Sequence, residues 1–156
     1  MKRPFFNAMQ INYITTRDQL ERALAELWTL PKLCADFETT GLDARVHEPR
    51  LLQLCTTQED VADRIVYVID FFKCKNTDGL KALIESREML LLHNANFDMQ
   101  FFLKLGIDYK KKIFDTFLAE RCLCAGFKEK KVSPKAEKVF FGDVSCSLKA
   151  VASRRL

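Results

Sequence analysis

The stretch LCADFETTGL, residues 33 to 42, alternates as a β-strand does: Leu33, Ala35 and Phe37 fall on one face and Cys34, Asp36 and Glu38 on the other. Two acids two residues apart on a strand project side by side, so their carboxylate oxygens can converge on a hard divalent cation. A buried strand does not normally carry two charges on one face, because uncompensated burial is costly. A face open to water at a sheet edge would meet the same constraint. Thr39-Thr40-Gly41-Leu42 then makes a tight turn that leaves backbone N–H groups and threonine hydroxyls beside the acids.

Outward from this strand the chain alternates between short strands and helices. Upstream, INYITT (11 to 16) reads as a strand, and a helix from Asp18 carries Leu20, Ala23, Leu24 and Leu27 on one face, with Trp28 as a core side chain at its end and Pro31 breaking it. Downstream, RLLQLCTT (50 to 57) and RIVYVIDFF (64 to 72) are strands separated by an acidic turn from Gln58 to Asp63, which predicts an antiparallel meander. TDGLKALIESR (77 to 87) is a helix with Leu80, Leu83 and Ile84 inward, and MLLLHN (89 to 94) is an apolar strand of the kind found inside α/β sheets. A helix runs from Asn96 to Leu105, closed by Gly106, and a second from about Phe114 to Ala125, closed by Gly126. Residues 127 to 143 hold five lysines and read as a mobile basic loop. Leu148, Val151 and Ala152 begin a last amphipathic helix.

The 156 residues, 48% hydrophobic and 29% charged, describe a single globular domain over 1 to 156 and exclude disordered, collagen-like and disulfide-scaffold classes. No apolar run approaches the roughly 20 residues of a membrane helix, and the start MKRPFFNAMQINY lacks the features of a signal peptide. The expectation is a cytoplasmic protein with no membrane partner, whose six cysteines, none in a C-x-x-C pair, stay reduced and mostly buried. Charge is uneven: residues 1 to 78 carry a net −2 and residues 79 to 156 a net +6.

HNANFD, 93 to 98, joins the apolar strand to the helix that follows. Asn94 and Asp98 are four apart and can share a helix face, so an amide and a carboxylate can address one ligand. Strand-to-helix junctions are where α/β proteins place their sites. Taken singly, Asn94 also reads as a turn former or N-cap and Asp98 as a solvated helix acid. His93 reads as a residue positioned by its strand. His47 is the one other histidine, so no histidine zinc site is indicated.

These segments together resemble the DEDD superfamily of 3′-to-5′ exonucleases. CADFETTGLDA is similar to the first exonuclease motif, LLLHNANFDMQFF to the second, KIFDTFLAERCLCAG to the Phe-Asp-Thr helix that follows, and SLKAVASRRL to the Ser-Leu-Lys helix. With PRLLQLCT and its Gln53, the likeness is closer to ribonuclease D and the proofreading domain of bacterial DNA polymerase I than to epsilon-type proofreading subunits. It implies an α/β, ribonuclease H-like mixed sheet, an antiparallel meander plus parallel strands, flanked by helices.

It also implies a two-metal phosphodiesterase acting on the 3′ ends of single-stranded DNA or RNA. Asp36, Glu38 and Asp98 would be the catalytic acids and the ligands of two Mg²⁺ or Mn²⁺ ions: Asp36 bridging, Glu38 on the water side, Asp98 acting through ordered water. Thr39, Leu42 and Asn94 would hold the terminal nucleotide, and Asp115 would have a supporting role. Lys110, Lys111, Lys112 and the lysines of the 127 to 138 segment could follow a phosphate backbone. The superfamily's fourth aspartate lies in a Tyr-x-x-x-Asp or His-x-x-x-Asp pattern beyond the Ser-Leu-Lys helix, and neither pattern follows Ser147. The resemblance therefore implies a domain incomplete at its C-terminus, with its last helices missing. Two alternatives to an active exonuclease follow: an inactive nucleic-acid-binding domain, or a fragment that needs a downstream polypeptide.

Overall fold

A computed structural model describes residues 10–132 and 139–155. A six-stranded mixed sheet, in the order β1-β4-β3-β2-β5-β6, organises the chain. Its strands are β1 (Gln10–Ile14), β2 (Lys32–Thr39), β3 (Pro49–Cys55), β4 (Ile65–Asp70), β5 (Met89–Leu92) and β6 (Lys112–Asp115). β2, β3 and β4 form the expected antiparallel meander, while β1 runs parallel to β4 and β5 parallel to β2. The helices are α1 (Arg17–Trp28), α2 (Leu80–Ser86), α3 (Ala95–Lys104), α4 (Thr116–Leu123) and α5 (Leu148–Arg155). The described residues up to Phe114 make one compact unit and those from Asp115 a second.

In the first unit the buried face of the sheet is the one alternation assigns. Leu33, Ala35 and Phe37 are buried together with Leu52, Leu54, Tyr67 and Ile69 from the neighbouring strands. Phe37 meets the ring of Phe102 edge-on, with centroids 4.8 Å apart, so α3 packs directly against the acid-bearing strand. α1 begins with a capping box: Gln19 N–H donates to the Thr16 hydroxyl, and the Thr16 N–H donates to the Gln19 side chain at 3.1 Å. Its Leu20, Ala23 and Leu27 are buried as the periodicity requires.

Trp28 is not a core residue. It is 51% exposed, with the Arg87 guanidinium 5.5 Å from its ring centroid. α1 stops at Trp28, so the ring passes beyond the end of the packed stripe. The buried residue here is Arg87, whose guanidinium donates to the carbonyls of Leu27, Trp28 and Leu30 and, at 3.1 Å, of Leu83. It thereby satisfies orphan carbonyls at the ends of α1 and α2. Arg87→Met should lower stability by about 3 kcal/mol, because buried carbonyls lose charge-assisted donors. Urea unfolding of the two proteins measures the difference.

Two elements differ from the sequence reading. KIFD forms the edge strand β6, so the helix expected from about Phe114 starts only at Thr116, with Asp115 as its N-cap accepting from the Phe117 N–H at 2.9 Å. The segment 127 to 143, expected as a mobile loop, contains an antiparallel pair, β7 (Lys128–Val132) and β8 (Val139–Asp143). Lysine density masked the pairing: Lys128 pairs with Asp143 across the ribbon, and β8 opens with the strand-forming run Val-Phe-Phe. Residues 133–138 of that segment lie outside the described residues.

Elsewhere in the second unit, buried Glu120 accepts from Arg154 at 2.7 Å and from Arg155 at 3.3 Å, joining α5 to α4. The Arg154 hydrogen bond leads in holding the Glu120 carboxyl below its ordinary range. Six free thiols are present as expected, but only Cys74 and Cys146 are buried and Cys122 is exposed. Among the described residues, no helix is long and apolar enough to cross a membrane.

Candidate active site

Alternation along β2 turns Asp36 and Glu38 away from the core, Asp36 half-buried and Glu38 exposed. Burial is the main cause that pushes the Asp36 carboxyl above its ordinary value; the neighbouring Glu38 charge adds to it, and His93 opposes it. The two acids therefore form a mutually repelling pair in a partly desolvated place.

β5 covers one edge of β2 only as far as Cys34, which pairs with Leu91. Beyond that point β5 has given way to α3, so the β2 backbone beside the acids has no neighbouring strand on that side. Asp98 supplies the acceptor: it is 1% exposed, and its Oδ1 receives the Phe37 N–H at 3.0 Å. The third predicted acid is thus fastened to the backbone between the other two. It is not the solvated helix acid that its sequence position also allowed.

Asn94 occupies the N-cap position of α3 but makes no side-chain capping bond. It has φ 66° and ψ 57°, and is the only non-glycine residue with positive φ among the described residues. Asn tolerates the left-handed region better than most L-residues, and such outliers cluster at functional sites. The strained junction sets the amide at the carboxyl end of β5, one residue from His93, the residue that acts on Asp36.

The turn after β2 is held by its own bonds. Thr40 N–H donates to the Glu48 carbonyl at 3.0 Å, Glu48 N–H returns to the Thr40 hydroxyl at 2.9 Å, and the Thr39 hydroxyl donates to the Gly41 carbonyl at 2.6 Å. Glu48 also pairs with Lys104 at 2.8 Å, anchoring the loop to α3. The His47 ring lies so close to Gly41 that a Cβ there would stand 2.5 Å from it, which explains the glycine. Leu42 projects from this turn 82% exposed, an apolar side chain presented to solvent beside two acids.

Two neighbours escaped the sequence reading as site residues. Gln53 lies directly opposite Asp36 in the β2/β3 register, and its signal was being the one polar residue in an otherwise apolar run. His47 could be seen only once the loop closed over Gly41. Lys110, Lys111 and Lys112 are not with the acids. Lys111 donates to the Ser86 carbonyl at 2.8 Å, just before β5, whereas the acids, His93 and Asn94 gather at the far end of β5.

The all-oxygen pair Asp36/Glu38 suits a hard divalent cation, which would relieve the repulsion that adds to the effect of burial on Asp36. Among the described residues, no three His, Cys, Asp or Glu side chains cluster closely enough to hold a metal ion.

A meander extended by parallel strands and flanked by helices is a ribonuclease H-like arrangement. The family description "3′-5′ exonuclease" matches residues 11–141, and the chain belongs to that family. DNA polymerase I of Aquifex aeolicus (strain VF5) is 30% identical over 115 residues, which is 74% of this chain and 18% of the polymerase. Escherichia coli RNase D, an exoribonuclease involved in structured RNA processing, superposes with a TM-score of 0.60 at 24% identity, over 76% of this chain and 32% of its own. Brucella melitensis NrnC bound to pGG superposes with a TM-score of 0.61 at 18% identity, over 96% of this chain and 62% of its own. The likeness to the solved structures is one of fold.

Proposed function

We propose that this chain hydrolyses phosphodiester bonds at nucleic-acid 3′ ends, with Asp36, Glu38 and Asp98 as its catalytic acids and Thr39, Leu42 and Asn94 on the side of the terminal nucleotide. The observation that carries this is the fastening of Asp98 to the Phe37 N–H, which ties α3 to the strand between Asp36 and Glu38. Asp36 and Glu38 would hold Mg²⁺ or Mn²⁺ directly, and Asp98, with Oδ1 engaged by the backbone, would act through water. A pair of such ions supplies an activated water and charge stabilisation for the departing 3′ oxygen.

The protein's own residues provide position. Exposed Leu42 offers an apolar surface for the terminal base, while the cross-bonded Thr39–Glu48 turn keeps that surface at a fixed distance from the acids. The strained Asn94 backbone aims an amide at the same region. Desolvation of Asp36 strengthens its interaction with a cation relative to an exposed carboxylate.

The absence of a three-acid cluster among the described residues favours a second reading: a domain that binds a strand but cuts it only when another polypeptide contributes a further carboxylate. One assay separates the two. An oligonucleotide labelled at its 5′ end, incubated with the chain and Mg²⁺ or Mn²⁺, should yield a ladder shortening from the 3′ end and no products in EDTA. Salt-sensitive binding without any ladder would support the second reading, and internal cuts would contradict both.

A further inference from the structure

Asp70 closes β4 on the same face of the sheet as the acids. Glu38 lies opposite Leu51, and Leu51 opposite Asp70, so the two carboxylates stand two strands apart, about 10 Å. Asp70 is fully buried and serves as a hub: it accepts from the Tyr13 hydroxyl, from the Arg50 guanidinium, and from the N–H groups of Phe72 at 2.9 Å and Lys73 at 3.2 Å. Burial alone would push its carboxyl up; the Tyr13 and Arg50 bonds outweigh it and hold the group at about 2. The hub is therefore ionised throughout the neutral range.

What it fixes is a surface of rings and cations. The Arg50 guanidinium sits 4.4 Å from the Phe72 ring centroid, the Lys75 ammonium 5.8 Å from the same ring, and the Lys73 ammonium 5.1 Å from the Tyr13 ring. Phe72 is 47% exposed and Tyr13 45% exposed, and Lys73 and Lys75 face solvent. A protein partner would ask for a continuous apolar patch. Here each exposed ring is flanked by a cation, and the carboxylate that pairs with Arg50 is itself buried. That chemistry fits an anionic polymer bearing flat rings.

We propose that Arg50, Phe72, Lys73, Lys75 and Tyr13 form a strand-holding platform, on which bases of a single-stranded nucleic acid stack against the rings and its phosphates meet the cations, upstream of the bond presented to Asp36 and Glu38. The platform deepens the exonuclease reading and rests on it for the direction of the strand. It places the basic contribution in the acidic half of the sequence, away from Lys110, Lys111 and Lys112.

Fluorescence anisotropy in EDTA, with a fluorescein-labelled single-stranded DNA of twelve mixed nucleotides and a labelled dinucleotide, tests it. Phe72→Ala, and Lys73→Ala with Lys75→Ala, should each shrink the gain in affinity from two to twelve nucleotides about tenfold. The lysine variant should also reduce the slope of log affinity against log salt by about 1.4, for two phosphate contacts. Lys110→Ala, Lys111→Ala and Lys112→Ala combined should leave that gain as it is. The proposal fails if the platform variants bind the longer strand as the parent does, or if the Lys110–112 variant carries the loss. It also fails if heparin binds as tightly as the DNA and Phe72→Ala changes nothing, since the patch is then a general polyanion surface. Loss of 3′ trimming in Asp36→Ala with undiminished binding in the platform variants would remove the platform and keep the exonuclease. Platform-dependent binding by a parent that trims nothing would do the reverse.

Discussion

Asp36→Asn is expected to reduce 3′-end trimming by about 10³-fold or more, while leaving the fold at least as stable as the parent. The two halves of this result have one cause. Asp36 carries its carboxyl in a partly desolvated place beside Glu38, which raises it above its ordinary value. An acid raised in the folded state contributes full stability below its unfolded value near 3.8, and that contribution is lost as pH rises through the raised folded value. At neutral pH the ionised group is therefore a liability to the fold, retained because a cation needs it. Asparagine keeps the shape and removes the charge, so the urea midpoint at pH 7 should stay level or rise, and the gap between the two proteins should narrow as pH falls toward 4. A clear loss of stability in Asp36→Asn at pH 7 would mean that the carboxylate serves the fold. Unchanged trimming would remove it from the site.

The same pairing of charge and strand shows what a sequence displays and what it hides. The faces of β2 were legible because side chains alternate by geometry alone, so Leu33, Ala35 and Phe37 could be assigned inward and Asp36 and Glu38 outward without any partner. The meander was legible because its strands are separated by a short polar turn. β6 was not: its four residues Lys-Ile-Phe-Asp offer no buried alternation, and Asp115, which caps α4, made the helix seem to begin earlier. The β7/β8 ribbon was hidden by lysines whose charges are met by acids on the ribbon itself, Lys128 by Asp143 across the strands and Lys131 by Glu129 within β7. Within the site, Asp36, Glu38, Asn94 and Asp98 could be nominated from motif and spacing, but the bond from Phe37 to Asp98 spans 61 residues and has no local signature. Gln53 reaches Asp36, and Asp70 reaches the row of Glu38, only through register, which local periodicity does not specify.

Asp98 offers the sharpest separation of structure from chemistry. Asp98→Ala should lower stability by about 2–3 kcal/mol, because the buried Phe37 N–H loses its acceptor where β5 no longer covers β2. Trimming should fall with it, since α3 then loses its hydrogen bond to the strand between the acids and keeps only ring packing there. Asp98→Asn keeps an oxygen that can accept the same N–H at the same place, so its stability should remain within about 1 kcal/mol of the parent. What asparagine cannot supply is negative charge, and its trimming should still fall by about 10²-fold or more if the carboxylate supports a cation through water. The pair of variants thus distinguishes two roles that the geometry combines in one residue. Recovery of full trimming in Asp98→Asn would confine Asp98 to positioning β2, leaving Asp36 and Glu38 as the charged members of the site. Loss of trimming in a stably folded Asp98→Asn would make the buried acid both the fastening of α3 and part of the catalytic electrostatics. Urea unfolding and the 5′-labelled oligonucleotide assay, run on the same two preparations, decide between them.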